Sequence, residues 1–299
     1  MEITDNHFHL DPSGRKELAV KDFIKAGGTR LVLVHKPYGS WKKIDSFQSQ
    51  VKTTLKLAVK ARETGAKVAV VAAPHPIELL KLLEFNSPSQ ASEIYFEAVD
   101  YCTSLVDEKK TVGLGELGRP HFEVEPLVWD LANEVLTESL SRAKEVDAAA
   151  VLHTESATPE VMADLSRIAS NARFPKSRLV KHYGGPGALE DPHGIVVSLI
   201  SSSTNIEIAA KSEFMLETDY LDDPQRPGAV MGPKTVPRKT HKALENNILS
   251  EDQVYNIHTR LPDSVYGEFL WISTFSSVLS SHSRFILHCL HHASMTCLS

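Results

Sequence analysis

Residues 2–10 read EITDNHFHL, a short β-rich run that closes on two histidines one residue apart. In an extended strand successive side chains point to opposite sides, so His7 and His9 share a face. The pair alone does not separate half of a metal site from a polar strand; the rest of the chain does. Seven further runs follow: TRLVLVHK (29–36), AKVAVVAAPHP (66–76), KTVGLGELG (110–118), AAAVLHTES (148–156), SRLVKHYGG (177–185), GIVVSLISSS (194–203) and EFMLETDY (213–220). Most are continuous and apolar, as in parallel strands buried on both faces. Helical patterns lie between them. Residues 44–64 place Phe47, Val51, Leu55 and Ala58 on one face, with Gly65 as C-cap, and residues 126–146 open with Pro126 and turn Trp129, Val135, Leu136 and Leu140 inward. Only the link GGPGALEDPHG (184–194) is too short for a full helix. Eight β runs with mostly helical links predict a (β/α)8 TIM barrel in one domain over residues 1–267, with a doubly wound sheet as the alternative.

Bulk properties agree with an enzyme of this size. The chain has 299 residues, 42% hydrophobic and 23% charged, with a net charge of -6. That balance offers nucleic acid no broad attraction, so a DNA substrate would need local positive charge, which bound divalent ions could supply. Three cysteines make no disulfide framework, and no leader or membrane-spanning run is read, so a cytoplasmic location is expected. Oligomeric state is left open.

A barrel places its chemistry at the C-terminal ends of its strands. There the runs end in His7 and His9, Glu116, His153, His182 and Asp219. Each alone has a bland reading, as a hydrogen-bonded histidine, a capping glutamate or a turn aspartate. Together they bring four imidazoles and two carboxylates to one face, a donor set suited to zinc, manganese or related divalent ions, with a central carboxylate able to bridge two of them.

Read as a set, the segments DNHFHL, GELG, HTES, KHYGG and ETDYLDDP resemble, in order, the TatD family of metal-dependent deoxyribonucleases, within the amidohydrolase-type barrels. APHP (73–76) resembles that family's segment after the third strand, and LPDSVYG (261–267) its barrel ending. The resemblance implies a site for two divalent ions (zinc, manganese or magnesium) held by His7, His9, Glu116, His153, His182 and Asp219. It implies hydrolysis by a metal-activated hydroxide, with Asp219 orienting the water and carrying its proton. Two places differ from the family pattern. Glu155 stands in HTES where an arginine is usual, and Arg119-Pro120-His121 follows the glutamate strand. Arg119 is expected to restore a phosphate contact, with His75, Tyr183 and Arg226 as further substrate-binding candidates.

Three functions compete. The first is a phosphodiesterase or deoxyribonuclease acting on DNA or a small phosphodiester. The second is a carbon–nitrogen or lactone hydrolase on the same metal scaffold, and the third is a barrel that only binds a ligand. Some carbon–nitrogen hydrolases bridge their metals with a carbamylated lysine at the fourth strand, and Glu116 there favours the first. The complete donor set argues against the third. The loop 225–242 is basic, and either guides a phosphate backbone or is the solvated start of a helix after Pro237. Residues 268–299, with eight serines and only Glu268 and Arg284 charged, are expected to form a tail outside the fold.

Overall fold

The computed structural model describes residues 1–267; the reading of residues 268–299 as a tail outside the fold lies beyond them. Each of the eight β runs holds one strand: β1 (Thr4–His9), β2 (Arg30–Val34), β3 (Lys67–Val71), β4 (Gly113–Gly118), β5 (Ala149–His153), β6 (Leu179–Lys181), β7 (Val196–Ile200) and β8 (Met215–Glu217). A ninth, β9 (Tyr220–Leu221), was hidden in the sequence by its two-residue length. All pair in parallel in the order β8-β7-β6-β5-β4-β3-β2-β1-β9, a nearly closed TIM barrel.

The helices in chain order are α1 (Glu17–Lys25), α2 (Ile44–Glu63), α3 (Pro76–Leu83), α4 (Pro88–Asp107), α5 (Pro126–Glu145), α6 (Pro159–Asn171), α7 (Ser203–Ala209) and α8 (Thr235–Glu245). Then come α9 (Glu251–Tyr255), a π-turn at Asn256–Arg260, and α10 (Leu261–Tyr266). Four helices begin with a proline at the first position, where its missing N–H costs nothing. α2 runs out at Thr64 and Gly65, and Gly65 takes a φ of 101° that a residue with a Cβ would resist. The 184–194 link carries only a 3₁₀ turn, Pro186–Leu189. α8 starts two residues before Pro237.

Strand alternation divides the core. Val32, Val34, Ala69, Val71, Ala149, Val151, Val180 and Met215 form one apolar cluster together with Val265 and Tyr266 of α10. Their sequence neighbours Ala150, Leu152, Leu179, Val197, Leu199 and Leu216 pack into the cluster that includes the helices. The first series lies inside the barrel, and two residues further along its strands stand His153, His182 and Glu217. Site residues are thus the polar ends of inward apolar ladders.

The seam between β8 and β1 closes through side chains. Asp5 accepts from the Thr218 amide at 3.0 Å and from its hydroxyl at 2.7 Å. Burial, offset by those bonds, pushes the Asp5 carboxyl up to about 7. Beyond the seam β9 pairs with the end of β1, Phe8 beside Tyr220 and His9 beside Leu221. Asp219 sits in the break between β8 and β9 with a φ of 51°. Among the described residues no helix is long and apolar enough to cross a membrane.

Candidate metal centre

The β1 pair points the way alternation dictates: the Nε2 atoms of His7 and His9 are 3.1 Å apart in the barrel mouth. Glu116 of β4 lies between the strand ends. One carboxylate oxygen is 3.6 Å from His7 Nε2, 2.9 Å from His153 Nδ1 and 3.2 Å from His182 Nε2. The other is 3.7 Å from His9 Nε2 and 4.0 Å from His75 Nε2. Asp219 Oδ1 stands 3.9 Å from His7 Nε2 and 3.5 Å from His9 Nε2, while His182 Nε2 and His153 Nδ1 are 3.3 Å apart. Donors around a four-coordinate ion at about 2.0–2.1 Å lie about 3.4 Å from one another. The observed spacings bracket that value, and three groups of donors each lie close enough to hold an ion: His7, Glu116 and His182; His7, His9 and Asp219; and His75, Glu116 and His153.

The electrostatics ask for a cation. Burial alone would push the His7 imidazole down, yet the carboxylates of Glu116, Glu217 and Asp219 outweigh it and raise His7 to about 9. Its Nδ1 is buried with no hydrogen-bond partner among the described residues. Glu116 itself, despite burial, is held well below the usual carboxylate range by His7 and His153.

Neighbouring groups fix the donors in orientation. His9 Nδ1 bonds the Val34 carbonyl at 2.9 Å. His182 Nδ1 bonds Glu217 at 3.1 Å, and the same carboxylate accepts from the Tyr183 amide at 2.8 Å and from the Ser198 hydroxyl. Carboxylate or carbonyl partners of this kind set the tautomer and basicity of a ligating imidazole. Glu217 was missed in the sequence, although the period-two rule applied to His7 and His9 also links Glu217 with Asp219. Lys181 was missed as well: fully buried, it donates to the His182 carbonyl at 2.8 Å, and burial pushes its ammonium down to about 8.

Glycines let β4 and β5 come together. A Cβ on Gly118 would lie 1.8 Å from the His153 carbonyl oxygen, so the GLGELG pattern permits the approach that sets Glu116 beside His153.

The substrate candidates fall in different places. The cavity over the cluster, about 350 Å³, is lined by the site residues other than His7, together with His75, Lys36 and Arg226. His75 caps α3, its Nδ1 accepting from the Ile77 amide at 3.1 Å, which leaves Nε2 facing the centre. Burial lowers His75 to about 3 and keeps the imidazole neutral. Lys36, which the sequence reading passed over, also binds Asp11 at 2.6 Å. Tyr183 is exposed on an adjoining recess with His153, His182 and Asp219.

Arg119 is a correction. Its side chain is 2% exposed and engages both Glu155 oxygens, with Asp164 at 2.5 Å and Asn133 at 2.8 Å. These contacts engage four of the five guanidinium N–H donors, and the side chain does not line the cavity over the cluster, so the expected phosphate contact gives way to a structural ion pair. The two departures from the sequence pattern, Glu155 and Arg119, are one contact. Trp129, expected inward, is half-buried and stacks under the same guanidinium, 4.4 Å from carbon to ring centroid.

Comparison with known proteins agrees with this architecture. A family model described as TatD related DNase matches residues 4–267. An uncharacterized protein of Methanocaldococcus jannaschii is 34% identical, over 89% of this chain and 96% of its own. A TatD homologue of Escherichia coli superposes with a TM-score of 0.60 at 18% identity, covering 88% of this chain and 97% of that one. The TatD-like protein of Archaeoglobus fulgidus does so with a TM-score of 0.59 at 15% identity, covering 88% and 99%. At such identities the two structures speak for the fold alone.

Proposed function

The chain belongs to the family of TatD-related deoxyribonucleases, and from that premise we propose that this metal-dependent hydrolase is a phosphodiesterase acting on DNA or a related phosphodiester. The observation that carries the reading is the central position of Glu116, within 4.0 Å of five imidazole nitrogens from different parts of the barrel mouth. His7, His9 and Asp219 would hold one divalent ion, His153 and His182 the other, with Glu116 shared. When bound, such ions lower the pKa of water towards neutrality and polarise a phosphoryl oxygen.

The remaining work falls to side chains of the chain. Asp219, an acceptor aimed into the mouth from the β8–β9 break, orients the attacking water and carries its proton to the leaving oxygen. Glu217 keeps the His182 ring in place. Lys36 and Arg226 line the same cavity and offer positive charge to the non-bridging oxygens of a phosphodiester. His75, neutral and fixed by its capping bond, presents Nε2 to the substrate.

The test pairs metal analysis of the purified protein with a panel of bis-p-nitrophenyl phosphate, single-stranded DNA and a lactone, each with manganese, magnesium or zinc. Cleavage of the two phosphodiesters and about two ions per chain are expected. Cleavage of the lactone alone would overturn the phosphodiesterase reading and leave the hydrolase.

A further inference from the structure

A second, larger groove of about 530 Å³ is reached from the metal cavity through the recess between them, which shares His153, His182 and Asp219 with the cavity and His121 and Glu155 with the groove. His121 Nδ1 stands 3.1 Å from His153 Nε2 and lines both the recess over the cluster and this groove. The groove's walls are aromatic. Phe122 is 46% exposed, and Trp129 is held flat by the Arg119 guanidinium stacked on it. Its charged lining is acidic: Glu123, Asp130 and Glu155 are present, and no lysine or arginine lines it.

The two cavities thus differ in what they accept. The metal cavity carries Lys36 and Arg226 beside the carboxylates of Glu116, Asp219 and Asp223, and bound ions would make it the place for phosphate. With Glu155 taken up by Arg119, Glu123 and Asp130 are left to disfavour a phosphate in the groove and to offer carboxylate acceptors beside the aromatic faces. A flat, uncharged ring carrying N–H donors on its edge matches both properties, and aromatic side chains stack bases of any sequence. Its volume is ordinary for a small-ligand site. We infer that this groove seats the nucleobase next to the scissile phosphate, so that the enzyme favours base-bearing strands over bare sugar–phosphate. This rests on the phosphodiesterase reading for its substrate. The Arg119–Glu155 pair then has a role at one remove from the chemistry: it holds Trp129 as a platform.

Two single-stranded oligonucleotides decide the matter, one fully base-bearing and one with abasic residues throughout. With the metal-loaded protein, KM for the base-bearing strand should be lower by about tenfold, within the range of one base stacked on an aromatic ring. Phe122→Ala, on the exposed rim, and Trp129→Ala should raise KM for the base-bearing strand alone and leave kcat and the abasic strand unchanged. Trp129→Phe should retain the preference. Equal loss on both strands, or no loss in either alanine variant, overturns the inference. Calorimetric titration of the metal-free protein with the same strands reads binding apart from turnover. Equal affinity for the two strands overturns the groove whatever the turnover. A preference in binding with no cleavage of either strand supports the groove and sinks the phosphodiesterase reading.

Discussion

Replacing Arg119 by methionine separates a structural guanidinium from a substrate contact. The residue is 2% exposed and pairs with Glu155 and Asp164. Breaking a buried pair by removing one partner costs about 3–5 kcal/mol. Glu155 is 22% exposed and can take up water, and Asp164 keeps Arg167 at 2.5 Å, so the low end applies. Loss of the stacking on Trp129 adds about 1 kcal/mol. The expected total is about 4 kcal/mol, which in a chain of this size lowers the melting temperature by roughly 8–12 °C. A Glu155→Met change on that background should restore part of the loss, because an apolar pair of similar volume is tolerated where a lone buried charge is not. Thermal and urea unfolding supply the stabilities, and initial rates on bis-p-nitrophenyl phosphate, which lacks a nucleobase, supply KM. The structural role requires a large stability loss and an unchanged KM for this substrate. A variant within about 0.5 kcal/mol of the parent, with KM raised severalfold, would refute the reasoning and return Arg119 to the phosphate.

Other perturbations probe the centre and its frame. Glu116→Ala should lower the metal content from two ions per chain to one or none by elemental analysis; two ions retained would remove its shared role. Glu217→Gln should weaken metal binding about 10- to 100-fold in a chelator competition, whereas unchanged affinity would mean that the His182 ring needs no carboxylate. Gly118→Ala should fail to fold or lose more than about 4 kcal/mol, since its Cβ meets the His153 carbonyl at 1.8 Å; ordinary expression and melting would contradict that approach. Acid should act on the metal-free chain through buried groups of opposite sign. Burial holds His35 near about 3 and His258 near about 4, against 6.5 for the free side chain. The unfolded chain therefore takes up protons that the fold refuses. The contribution of these two groups is fully present above pH 6.5 and falls as the pH drops, by about 2 kcal/mol from each at pH 5. Asp5 and Glu78, both raised to about 7 by burial, gain stability over the same interval, so the histidines are followed one by one through NMR titration of their imidazoles; protonation of either between pH 7 and pH 5 would show that it is not held neutral.

The strands and the six converging donors were legible in the sequence for one reason. Parallel barrel strands are buried on both faces, so a histidine or carboxylate ending an apolar run stands out, as in AAVLH or GLGE. What stayed hidden depends on partners distant along the chain. Arg119 and Glu155 are 36 residues apart, and neither carries any local mark of the other, so each read as a separate peculiarity facing substrate. Lys36 follows β2 and Glu217 ends β8, and only the closed barrel brings Lys36 to the cavity and sets Glu217 behind the His182 ring. β9 is too short for any periodicity to register, and its partner β1 lies more than 200 residues away in the chain. The left-handed turn at Asp219 follows from that pairing. β8 ends at Glu217, Thr218 is held by Asp5, and the chain must turn at the next residue for Tyr220 to reach Phe8. The aspartate that opens DNHFHL thus acts on the site without joining it, by holding the seam from which Asp219 reaches its place.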